Sequence, residues 1–142
     1  MKRALQLAEH AGEGDEVPVG AVLMMGNEMA GEGWNCPVGS HDPTAHAEIR
    51  ALRAACTREQ NYRLPGSTLY VTMEPCVMCA GAIVAARIER LVFAARDIRF
   101  GGVRSVFRMA DSDLQNHRVR VEEGLLAAEA AELLTKFFKA RR

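Results

Sequence analysis

No run of about 18 apolar residues occurs in the chain, so no helix is expected to cross a membrane. The opening residues, MKRALQLAEHAGEGDE, lack the apolar centre and cleavage site of a secretory signal. They read as a short amphipathic helix. The expected location is therefore the cytoplasm, where thiols stay reduced. Cysteine is sparse, and the four present, Cys36, Cys56, Cys76 and Cys79, are expected as free thiols or metal ligands rather than disulfides. Internal repeats, low-complexity tracts and linkers are absent, which argues for one domain over residues 1–142. At 49% hydrophobic residues the chain can fill a core.

Basic residues are missing from a long stretch. Between Ala4 and Ile49 there is no Lys or Arg but eight Asp and Glu, and 16 of the 18 basic residues lie from Arg50 onward. The net charge of zero thus hides an uneven distribution. The end of the chain carries Lys136, Lys139, Arg141 and Arg142 and suits a polyanion. A solvated helix end, with cations favoured by the C-terminal dipole, would look the same.

Residues 2–11 read as a helix with Ala4, Leu5, Ala8 and Ala11 on one face. VPVGAVLMM and EMAGEGW read as strands joined by a Gly26-Asn27 turn. Thr44 is a suitable N-cap for a helix whose apolar face is Ile49, Leu52 and Cys56. STLYVTM is a strand, Cys76 to about Ala86 a helix, and RLVFAA a strand. Arg96–His117 shows no clear period, VRV reads as a last short strand, and Leu125–Ala140 as a final helix. Strands alternating with helices after a hairpin imply an α/β fold, with helices on both faces of one mixed sheet. The helix after Cys76 is apolar all round, which suggests cover from a second copy of the chain, or from loops or the terminal helix.

The chemistry lies in TAHAEIRA (Thr44–Ala51) and EPCVMCAG (Glu74–Gly81). Cys76 and Cys79 stand at a strand-to-helix junction, where the helix dipole and free N–H groups favour thiolate, the metal-binding form. His46 falls at the start of another helix. Together they offer two sulfurs and one nitrogen, a donor set for tetrahedral zinc, with water as the fourth ligand of a catalytic site. Glu48 would point about 200° from His46 on an ideal helix, so it is badly placed as a ligand. It could still move protons between such a water and a substrate. A Cys-x-x-Cys pair alone would equally fit a redox pair, or a structural site closed by Cys36, His41 or Cys56. The order His-x-Glu…Pro-Cys-x-x-Cys is more specific and is the known signature of zinc nucleobase deaminases.

Longer strings narrow the likeness. EVPVGAVL, GEGWN, HDPTAHAEIRALR, NYRL, TLYVTMEPCVMCAGAI, FAARD and NHRV, with the C-terminal FF-K-x-R-R, make the chain resemble the bacterial tRNA-specific adenosine deaminases. That resemblance implies a three-layer α/β/α cytidine-deaminase-like fold with a five-stranded mixed sheet, and a homodimer. It implies one zinc ion per subunit on His46, Cys76 and Cys79, with a bound water, and Glu48 as proton shuttle. Asn35, Val17, Pro18 and Asp97 match base-pocket positions. The implied reaction is hydrolysis of the C–N bond of the wobble adenosine in an arginine tRNA, giving inosine.

RNA contacts are expected from Arg99, Lys136, Lys139, Arg141 and Arg142. Within Arg96–His117, Phe100 and Phe107 could stack on bases or simply pin the loop to the body. Cys36 and the string IRFGG depart from the family pattern. Rival readings are a deaminase of free guanine or cytosine, a zinc-stabilised RNA-binding module without catalysis, and a thiol–disulfide enzyme.

Overall fold

A computed structural model describes residues 1–142. Its elements are α1 (Lys2–Glu13), β1 (Gly20–Met25), β2 (Glu28–Trp34), α2 (Pro37–Ser40), α3 (Ala47–Glu59), β3 (Ser67–Met73), α4 (Val77–Ala85), β4 (Arg90–Ala95), β5 (Arg120–Glu123) and α5 (Ala127–Lys139). The strands form one five-stranded sheet in the order β2-β1-β3-β4-β5. β1 pairs antiparallel with β2 and β3, whereas β3–β4 and β4–β5 are parallel. The mixed sheet expected from the sequence is therefore present.

The parallel pairs need crossovers, and α4 supplies the one from β3 to β4. Alternation along β1 divides the core. Val22 joins Ala4 and Leu7 of α1, while Ala21 and Leu23 belong to the larger core with Ala47, Ala51, Leu52 and Ala55 of α3. Helix α5 packs beside α1, and α4 beside α3, so each face of the sheet carries two helices. Glycine sets how close they come. A Cβ at Gly20 would overlap Ala4 O and Ala8 N of α1, and one at Gly33 would overlap Ala47 O and Ala51 N of α3.

Several boundaries differ from expectation, α1, α4 and α5 by only one or two residues at an end. β1 begins at Gly20 rather than Val17, because Val19 N–H folds back onto Val17 O (2.8 Å) and Pro18 has no N–H for a ladder. α3 is capped by His46, not Thr44; the Thr44 N–H and hydroxyl both donate to Asp42 Oδ1 (2.8 and 2.7 Å), holding Thr44 in a turn. The last strand is Arg120–Glu123, and the short α2 has no counterpart in the sequence reading. Arg96–His117 contains no helix or strand, as its missing period suggests. Because α5 lies on the opposite face, it does not cover α4. Val77 and Met78 of α4 remain 39% and 37% exposed.

Candidate metal and active site

The site follows from sheet topology. β3 and β4 run parallel and end side by side, Met73 opposite Ala95. β1 and β2 bring the start of one and the end of the other to the same edge, Gly20 opposite Trp34. Val19, Asn35, Glu74 and Asp97 flank these strand ends and gather at this edge. α3 and α4 add their N-termini.

His46 and Cys76 are the N-caps of α3 and α4, both in extended conformation and neither making a side-chain cap hydrogen bond. Their side chains are left free to converge. His46 Nδ1 lies 3.6 Å from Cys76 Sγ and 3.5 Å from Cys79 Sγ. The three ligand atoms all fall within 4.8 Å of one another. Ordinary Zn–S and Zn–N lengths on a tetrahedron give an N···S edge of about 3.6 Å, so the residues fit zinc. Cys36 and Cys56 stand outside this group, as does His41.

The electrostatics fit a cation too. The Cys79 thiol holds Cys76 far below a normal thiol, at about 4, despite burial and with help from His46. The same contact with Cys76, reinforced by burial, pushes Cys79 up. The pair thus holds a proton that a divalent cation would displace. Glu48 is 4% exposed. Burial pushes its carboxyl up to about 7, against the pull of its own backbone N–H and of His46. A group poised there is suited to take and return a proton near neutrality.

Since His46 precedes the helix, the ideal-helix angle between it and Glu48 does not apply. Both line one cavity of about 440 Å³ with Val17, Asn35, Cys76 and Asp97. Its wall also includes Val19, Met73, Glu74 and Phe138, which sequence reasoning did not place at the site, and Phe100. Of these, only Glu74 carried a signal, its position next to Pro75-Cys76. Asn35 is fixed by its N–H to Val19 O (3.0 Å), leaving its side chain for the cavity. Pro18 is buried and lines a neighbouring cleft with Gly12, Lys136, Phe137 and Arg141. The Asp97 carboxylate accepts the N–H groups of Arg99 and Phe100 (3.0 and 3.1 Å).

Arg99 and Phe138 belong both to this cavity and to a basic cleft of about 410 Å³ with Lys139, Arg141 and Arg142. Arg141 pairs with Asp15 and stacks on Phe137, and Lys136 pairs with Glu132. Arg99, Lys139 and Arg142 carry the free charge of that cleft.

Comparison with known proteins agrees with this chemistry. Residues 1–95 match the cytidine and deoxycytidylate deaminase zinc-binding region. The tRNA-specific adenosine deaminase of Haemophilus influenzae is 51% identical over 100% of this chain and 83% of its own length. A solved structure from work on A-to-I editing by tRNA:A34 deaminases at the wobble position of transfer RNA superimposes with TM-score 0.91. It is 46% identical, over 94% of this chain and 97% of that one. The guanine deaminase of Nitrosomonas europaea superimposes with TM-score 0.83 at 28% identity, over 96% of this chain and 81% of that one. The chain belongs to the zinc-binding cytidine and deoxycytidylate deaminases and, within them, to the tRNA-specific adenosine deaminases.

Proposed function

We propose that the protein hydrolyses adenosine to inosine at the wobble position of a tRNA anticodon loop, with an arginine tRNA as its substrate. The observation that carries this is the convergence of His46, Cys76 and Cys79 beside the buried Glu48, on a cavity that opens into a basic cleft. His46, Cys76 and Cys79 would hold one zinc ion per subunit. Such an ion would supply an activated water and stabilise the negative charge on the oxygen that adds to the reacting carbon.

The chain's own residues do the rest. Glu48 takes a proton from the attacking water and delivers it to adenine N1 while the hydroxyl adds to C6. It then takes the proton of that hydroxyl and passes it to the amine, so that the C6–N bond breaks, ammonia leaves and C6 keeps the oxygen as the carbonyl of inosine. Asn35 offers a donor and an acceptor to the purine edge. Val17 and Val19 exclude water from the base. Asp97 shapes the loop from which Arg99 reaches toward phosphate. Single-stranded loop bases splay into pockets of this kind at modest cost.

The test is to incubate an anticodon stem-loop RNA with the protein and sequence it for A read as G. Free adenosine, guanine and cytosine serve as parallel substrates. Turnover of guanine or cytosine without the RNA product would favour the free-base reading.

The continuous cleft makes a second prediction. Changing Arg99 and Lys139 together to Ala is expected to weaken stem-loop binding. It should also lower the slope of the salt dependence by about 0.7–0.9 for each phosphate left unneutralised. Binding measured across a salt series checks this, and an unchanged slope would remove the cleft from the RNA path.

The protein is read as a homodimer of the cytoplasm; the exposed apolar residues of α4 support the dimer. The loop tied to the start of α4 adds Ile98, Phe100, Val106 and Phe107, all exposed. Met78→Asp is expected to convert a dimer to monomer in light scattering; a parent protein that is already monomeric refutes the arrangement.

A further inference from the structure

Glu74 is only 3% exposed, yet it is neither a metal ligand nor the proton shuttle. Its carboxylate is surrounded by donors from one loop. Oε1 accepts the N–H groups of Val103 (3.2 Å), Arg104 (2.6 Å) and Ser105 (2.9 Å). Oε2 accepts the Asp97 N–H (3.0 Å) and the Ser105 hydroxyl. The loop is seated by its glycines. A Cβ at Gly101 would overlap the Glu74 carboxylate, and one at Gly102 would sit 2.7 Å from Cys76 C and Val77 N. Gly102 N–H also donates to Pro75 O (2.7 Å), and Gly101 bridges to Cys76. One carboxylate therefore gathers both ends of a segment with no regular structure of its own. It does so two residues before a metal ligand.

We propose that Glu74 is a positioning residue: it holds the Asp97–Ser105 loop against the start of α4, and so sets where Asp97 and Arg99 stand relative to the metal ligands. This rests on the deaminase reading for its kinetic consequence but not for its structural one. Asp97 and Arg99 face the cavity, so their displacement affects substrate capture. Glu48 and Cys79 lie within α3 and α4, and His46 and Cys76 cap those helices, so the bond-breaking step is spared.

Glu74→Gln tests this. The amide keeps the shape and one acceptor oxygen, which can satisfy the three clustered N–H groups. Its NH2 then faces the Asp97 N–H, two donors with nothing between them. Loss of a buried hydrogen bond to a charged acceptor is expected to raise KM for the stem-loop about tenfold, while kcat falls less than about threefold and zinc content is unchanged. Amide exchange at Asp97 and Val103–Ser105 should quicken in the same variant.

An unchanged KM with unchanged exchange overturns the proposal. So does a loss confined to kcat, which would put Glu74 in the chemistry itself. Should Glu74→Gln fail to fold, Ser105→Ala decides, because it deletes a single donor. An increase in KM of about threefold supports the proposal and an unaltered KM refutes it. If the parent protein never edits the stem-loop, the deaminase reading fails, and the exchange measurement alone judges the positioning role.

Discussion

Replacing Glu48 with alanine is expected to lower inosine formation by about 10²–10⁴-fold, the usual contribution of a positioned acid–base group. Zinc content and stem-loop binding should stay near those of the parent. The carboxyl is buried in the first turn of α3, and burial holds it near neutrality. Glu48→Gln separates two explanations. It preserves volume and hydrogen bonding but cannot ferry a proton, so it should lose as much activity as the alanine variant. Neither change is expected to lower the melting temperature, because a carboxyl held away from water costs stability in the parent. Normal turnover in either variant would mean that another group moves the proton. A zinc-stabilised RNA-binding module without catalysis predicts no turnover in the parent either.

Cys76→Ala removes one of the three proposed ligands. Zinc is expected to fall below about a tenth of an equivalent and turnover to reach background, since two remaining protein donors do not make a stable site. An ion present at 1,000 times its dissociation constant stabilises a fold by about 4 kcal/mol, which at this chain length corresponds to a melting shift of about 10 °C. Metal analysis and a thermal melt check both. Chelating the parent should reproduce the loss, and adding zinc back should restore the parent but not the variant. A thiol–disulfide enzyme would instead keep its activity through chelation.

Much of the fold was legible because local signals agree with tertiary ones. β2, β3 and β4 span Glu28–Trp34, Ser67–Met73 and Arg90–Ala95, the ranges their apolar content and flanking turn residues suggest. The sequence reading fails where one side chain overrules propensity. Thr44 looks like a helix cap, but Asp42 captures its N–H and hydroxyl, and the helix starts later at a histidine committed elsewhere. Pro18 delays β1 in a similar way, and the four residues of α2 are too few to show a period. The candidate metal ligands could be brought together from the sequence because helix starts fix their positions. Val19, Met73 and Phe138 could not, since only the packed sheet and α5 bring them to one wall. Glu74 stands next to Pro75-Cys76 in the sequence, but nothing local foretells its burial, which depends on a loop about thirty residues away folding over it.

The two N-caps have a last consequence. Helices usually begin with a Ser, Thr, Asp or Asn oxygen that closes off the first free amides. Here those places belong to an imidazole and a thiol turned toward each other, so neither cap side chain closes the opening of its helix. The ion would therefore secure two helix beginnings as well as the reaction, and its departure should unwind both at once.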